Sequence, residues 1–157
     1  ALPICGRPAR ERVVQDVEIP LDRTAEFVDW FLREVPVEPL WLCPVQLRPD
    51  PVRGGEAPVS GSSPWPLYPM EVGTPYVNVG FWSTVPILPG RRDGDTNRAI
   101  EDEVHELGGH KSLYSDAYYD EETFAALYGG ADYALVKKRY DPRGRLPSLY
   151  DKAVRAR

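Results

Sequence analysis

Along this chain the spacing of apolar residues changes from two to about 3.6 and back, twice over, and that order restricts the fold more than any single residue does. From Arg12 to Ile19, Val13, Gln15, Val17 and Ile19 alternate with Val14, Asp16 and Glu18, the pattern of a half-buried strand. After Pro20, Asp22 or Thr24 can cap a helix in which Phe27, Val28, Phe31, Leu32 and Val35 return on one face, and Pro36 limits it. Leu40 to Leu47 is apolar on both faces, which predicts a central strand covered on two sides, with Pro44 marking a bulge or an edge. Val77, Val79 and Phe81 predict a third strand ending near Pro86. Asp95 or Thr96 opens a second helix carrying Ile100, Val104 and Leu107, and Gly108-Gly109 stops it. Ser112 to Tyr119 fits a fourth strand. The resulting order, βαββαβ, predicts an α+β fold of the ferredoxin-like kind, an antiparallel sheet with two helices on one face.

Beyond that unit, a short helix is expected from Glu121 to Tyr128, capped by Asp120 and closed by Gly129-Gly130, then another from Asp132 to Tyr140 ended by Pro142. A further helix is expected around Leu149 to Val154. Residues 48 to 74, with Gly54-Gly55, Gly61-Ser-Ser63 and Pro64-Trp-Pro66, read as one long loop. The 157 residues are expected to form a single domain. Opening on Ala1 and running straight into Pro3, Gly6 and Pro8, the chain reads as a piece of a longer protein.

A net charge of -5 argues against a dedicated nucleic-acid binder, which needs clustered cations to neutralise phosphates. Two cysteines, Cys5 and Cys43, lack any metal or redox spacing, so a reducing, cytoplasmic setting is expected, with peripheral membrane contact left open. Cys43, inside an apolar strand pattern, reads as a buried structural thiol. His105-Glu-Leu-Gly-Gly-His110 resembles a zinc-hydrolase string, but histidines five apart diverge by about 140° around a helix. Gly108-Gly109 also ends that helix first, so no metal is expected. There is no phosphate-cradling glycine loop after a strand and no serine-hydrolase elbow, so the chain is not expected to hold a nucleotide tightly by itself.

Aromatic residues are the remaining signal. On the expected fourth strand Tyr114, Asp116 and Tyr118 share one face, a polar and aromatic row suited to a ligand.

Several strings in order along the chain resemble the C-terminal part of the delta-24 sterol reductases, flavoproteins of the vanillyl-alcohol oxidase type. They are Val13-Val-Gln-Asp16, Pro39-Leu-Trp-Leu-Cys-Pro44, Tyr76-Val-Asn-Val-Gly80, Leu113-Tyr-Ser-Asp-Ala-Tyr118, Gly130-Ala-Asp-Tyr133 and Tyr150-Asp-Lys152. The resemblance implies that residues 1–157 form a cap over a flavin held mainly by a separate N-terminal FAD-binding domain. It also implies a small hydrophobic, sterol-like substrate and NADPH as reductant. On this reading Tyr114, Asp116 and Tyr118 face flavin or substrate, and Lys111 is a candidate cofactor contact. The alternative is a stand-alone ferredoxin-like module that binds a ligand or partner without catalysis of its own.

Overall fold

A computed structural model describes residues 8–47 and 67–155, which fall into two units. The first unit takes residues up to Pro44 together with Tyr76–Tyr118. It contains β1 (Arg10–Pro20), a 3-10 turn Leu21–Arg23, α1 (Thr24–Glu34), the start of β2 (Trp41–Gln46), β3 (Pro75–Pro86), α2 (Asp95–Glu106) and β4 (His110–Lys111). The strands lie in the order β2-β3-β1-β4, with β1 antiparallel to both neighbours. The ferredoxin-like arrangement expected from the periodicities is therefore the one observed.

The register explains the core. Val17 and Ile19 of β1 stand opposite Val79 and Val77 of β3, with Val13 and Phe81 on the same side, so one face of the sheet is predominantly apolar. Phe27 and Phe31 of α1 and Ile100 and Val104 of α2 close over that face. The Phe31 and Phe81 rings meet at 4.5 Å. Both α1 phenylalanines are wholly removed from water, which stabilises the fold by about 2 kcal/mol apiece.

Helix α2 is attached to the sheet by polar side chains as well. Its N-cap is Gly94, in a left-handed conformation (φ 92°), with no side chain to accept the free N–H groups. Glu11 of β1 supplies the acceptor instead, taking the Thr96 N–H at 3.1 Å and the Asn97 N–H at 2.8 Å. Asn97 Nδ2 donates to the same carboxylate at 2.6 Å, and Gln15 Nε2 donates to Asn97 Oδ1 at 2.7 Å. The cap expected from Asp95 or Thr96 thus comes from a residue more than 80 positions upstream.

Two strand expectations need correction. β2 is an edge strand rather than a central one, and Trp41 and Leu42 are 58% and 54% exposed. Pro44, which has no N–H to give to a ladder, is compatible with that edge. Cys43 is accordingly half-buried instead of enclosed. The fourth strand is only His110–Lys111, and residues 112 to 120 are irregular. Two buried side chains take over the backbone groups that a longer ladder would have paired. Lys111 Nζ donates to the Asp116 carbonyl at 2.7 Å, and Glu101 accepts the Tyr118 N–H at 3.1 and 3.0 Å.

The second unit takes Val45–Pro75 and the residues from Tyr119 on. Its helices are α3 (Glu121–Leu127) and α4 (Gly130–Tyr140), followed by a π-helical turn Asp151–Arg155. Asp120 caps α3 as expected, accepting the Thr123 N–H at 2.8 Å. α4 begins two residues before the expected Asp132, with Gly129 as its N-cap. Phe124, Tyr128 and Tyr150 form its aromatic centre, with Phe124 at 4.8 Å from Tyr128 and 5.3 Å from Tyr150. Of the expected long loop, residues 48–66 lie outside the described residues, while Leu47 and Val72 form an isolated parallel bridge.

Lys111 and Glu101 form a 2.9 Å ion pair with side chains 1% and 3% exposed. Lys111→Met would leave the Glu101 carboxylate buried without its counter-charge. It is expected to destabilise the chain by about 3–5 kcal/mol in urea titrations, and a second change, Glu101→Gln, should recover part of the loss. A cost below about 1 kcal/mol for the single substitution would contradict this account.

Candidate functional site

Alternation along β1 sends Arg12, Val14, Asp16 and Glu18 to the sheet face away from α1 and α2. Their partners on β3 are Thr84, Trp82, Gly80 and Asn78, and His110 of β4 stands opposite Glu18. This second face is polar and aromatic. Glu18 Oε1 accepts from Asn78 Nδ2 and from Ser112 Oγ, each at 2.9 Å, while its Oε2 lies 3.6 Å from His110 Nε2. Tyr76 meets the His110 ring edge-on at 5.5 Å.

One glycine is required by this arrangement. A Cβ on Gly80 would fall 2.5 Å from Asp16 Oδ1 and 2.9 Å from Trp82 Cη2. Its absence lets the carboxylate and the indole share the surface between β1 and β3. Asp16 Oδ1 is buried there without a hydrogen-bond partner among the described residues.

The segment after β4 delivers two of the three expected residues to the same face. Trp82 Nε1 donates to Tyr114 Oη at 3.2 Å. Partial burial, reinforced by the neighbouring Asp16 carboxylate, pushes the Tyr114 phenol up to about 12, so it keeps its proton throughout the physiological range. Asp116 Oδ2 pairs with Arg12 Nη2 at 2.6 Å. That pair is exposed and contributes geometry more than stability. Tyr118 goes elsewhere: its ring lies under the Arg98 guanidinium at 4.9 Å and against Gly94, at the start of α2. The common face expected for Tyr114, Asp116 and Tyr118 depended on a strand that ends at Lys111, so only Tyr114 and Asp116 come together.

Lys111 shares the helix-covered side with Val17, its ladder partner, and is 0% exposed. Burial pushes its ammonium below the ordinary lysine range and the Glu101 carboxyl above the ordinary glutamate range, and their mutual attraction opposes both shifts. Here Lys111 holds the 112–118 segment in place through the Asp116 carbonyl.

His105 sits exposed in the last turn of α2, whereas His110 is buried in β4. Among the described residues no group of three or more His, Cys, Asp or Glu is placed to hold a metal, and no helix is long and apolar enough to cross a membrane. A cavity of about 400 Å³, walled by Trp30, Val35, Val85, Ile87 and Leu88, opens where α1 ends.

Sequence reasoning missed Asp16, Glu18, Asn78, Trp82 and His110 as a group. The signal was present in the polar half of the β1 alternation, but the pairing register that brings β3 and β4 residues beside it was not.

No family model matches the chain, and no solved structure matches it. Among curated proteins it is similar to Delta(24)-sterol reductase of Arabidopsis thaliana, 29% identical in a 153-residue alignment that covers 92% of this chain and 27% of that protein. It is 29% identical over 149 residues to the Delta(24)-sterol reductase homolog of Caenorhabditis elegans, covering 94% of the chain and 26% of the relative. Human Delta(24)-sterol reductase is 24% identical over 151 residues, again 94% of this chain and 26% of the relative. The chain thus spans about a quarter of the length of the curated relatives it matches.

Burial depresses His110 to about 4, so the folded chain favours the neutral ring. The unfolded chain, with an ordinary histidine near pH 6.5, binds the extra proton first. The stabilisation from the neutral ring is therefore complete above about pH 6.5 and is lost as pH falls toward about 4. The loss is at most about 3 kcal/mol, the free energy that corresponds to a shift from 6.5 to about 4. Denaturant midpoints measured between pH 7 and 4 should show this decline, and His110→Phe should flatten it. A decline that persists unchanged in the variant would assign it to other groups.

Proposed function

Taking homology with one quarter of the delta(24)-sterol reductases as the premise, we propose that this chain is the substrate-capping part of an FAD-dependent oxidoreductase. It would work with an FAD-binding domain supplied from outside residues 1–157. The observation that carries this reading is the co-linear similarity, which runs along more than nine-tenths of the chain and falls within one compact portion of each relative's length. On the same proposal the substrate is small, hydrophobic and of the sterol class, and NADPH is the electron source.

The sheet face bearing Asp16, Trp82, Tyr114 and Asp116 is the surface assigned to flavin and substrate. Its donors and acceptors suit part of a flavin ring or a substrate hydroxyl, with a phenol fixed by an indole N–H, an Asp16 carboxylate oxygen lacking a partner among the described residues, and the exposed Arg12–Asp116 pair. They do not suit the flavin's phosphates, for which the sequence has no glycine-rich cradle. FAD, when bound, supplies hydride transfer; the chain supplies orientation and exclusion of water. Trp82 fixes the direction of the Tyr114 oxygen, and the high pKa keeps the phenol a hydrogen-bond donor. Lys111 serves this face indirectly, by setting the position of the loop that carries Tyr114 and Asp116.

Tyr114→Phe removes one hydroxyl and leaves the ring. In the proposed intact flavoprotein, the variant should lower kcat/KM about three- to tenfold, the cost of one hydrogen bond, with little change in melting temperature because only one partly exposed hydrogen bond is lost. Unchanged kinetics would show that Tyr114 does not face the reaction.

A further inference from the structure

Helix α4 has no buried residue at all. Leu135 is 67% exposed, Val136 41% and Tyr140 75%. At about 100° per residue these three span an arc of about 140°, with Arg139 inside it. The Arg139 guanidinium lies 5.5 Å over the Tyr140 ring.

The chain beyond the helix is folded back against its end rather than trailing away. The Asp141 carboxylate accepts from Lys137 Nζ at 2.5 Å and from the Arg145 and Leu146 N–H groups at 2.9 Å. Lys137 also donates to the Leu146 carbonyl at 2.7 Å. This closed turn holds Leu146, itself 65% exposed, with Arg143 and Arg145 also exposed beside it.

The charge distribution gives the surface a direction. Residues 130–157 carry eight Lys and Arg against three Asp, whereas residues 1–129 carry eleven basic against twenty-one acidic side chains. An acidic chain thus ends in a basic segment whose apolar side chains stand in water. Adjacent exposed apolar groups rimmed by cations match the boundary between anionic headgroups and acyl chains, where leucine and tyrosine enter the apolar layer and Lys and Arg meet phosphate.

We propose that α4 and the turn through Leu146 form a docking surface for an anionic lipid bilayer, on which the chain rests without spanning it. The charge asymmetry favours lipid as the occupant, because negative charge is a general property of such leaflets. The proposal stands apart from the flavin reading. Where that reading holds, lipid docking would bring a cap for hydrophobic substrates to the phase in which they dissolve.

The test is sedimentation of the 157-residue chain with vesicles of phosphatidylcholine alone and of phosphatidylcholine with phosphatidylserine. The expected result is binding to the phosphatidylserine vesicles only, weakened by salt. Two double variants, Leu135→Ser with Leu146→Ser and Arg143→Glu with Arg145→Glu, should each lower the bound fraction at least about fivefold while circular dichroism shows an unchanged fold. Failure to bind the anionic vesicles, equal binding to both compositions, or binding indifferent to both variants would overturn the proposal. So would a concentration-dependent dimer that the leucine variant dissociates while vesicle binding persists, since the surface would then be an interface between copies. None of these outcomes depends on flavin binding or turnover.

Discussion

The geometry of the first unit depends on one buried ion pair, Lys111 with Glu101. Removing both charges from water is unfavourable, and the backbone hydrogen bonds that each partner makes help to offset that cost. The carboxylate accepts from the ammonium and the Tyr118 N–H; the ammonium donates to the carboxylate and to the Asp116 carbonyl. A strand of two residues, a helix and an irregular loop are thereby fixed at a single point. Apolar packing alone would hold α2 on the sheet, but it would not dictate where residues 112–118 run.

The Glu11–Asn97–Gln15 network does for the start of α2 what the ion pair does for its middle. With the helix held by polar contacts as well as by Ile100 and Val104, one sheet face is committed to structure. The other collects polar and aromatic groups: Glu18 with Asn78, Ser112 and His110, and Trp82 with Tyr114. Period-two alternation in β1 is the common cause, since each residue on the core face places its neighbour on the candidate site.

Much of the fold was legible because it rests on local periodicity. The apolar alternation of β1 and β3 and the helical spacing of Phe27, Phe31, Ile100 and Val104 predicted both the elements and their order. The edge position of β2 was not legible, because Leu40 to Leu47 has the same two-sided apolar pattern that a covered strand would have. The short β4 was not legible either. Its continuation through Tyr114, Asp116 and Tyr118 alternates well, and what stops it is side-chain competition for backbone groups from Lys111 and Glu101. Tyr114 and Asp116 do share a face, but for a reason the sequence pattern did not contain, since the loop and not a strand brings them there. Asp16, Glu18 and His110 were hidden by distance along the chain, and Gly80 shows its purpose only once Asp16 is beside it.

The central claim is that, in the proposed flavoprotein, the polar face and not the helix-covered face looks onto flavin and substrate. Hydrogen exchange of the intact flavoprotein, with and without a bound substrate analogue, tests it most directly. The account predicts that the analogue slows exchange in residues 112–118 and in β3 around Gly80 and Trp82, with α1 and α2 little changed. Slowing confined to α1 and α2, with residues 112–118 unaffected, would contradict it.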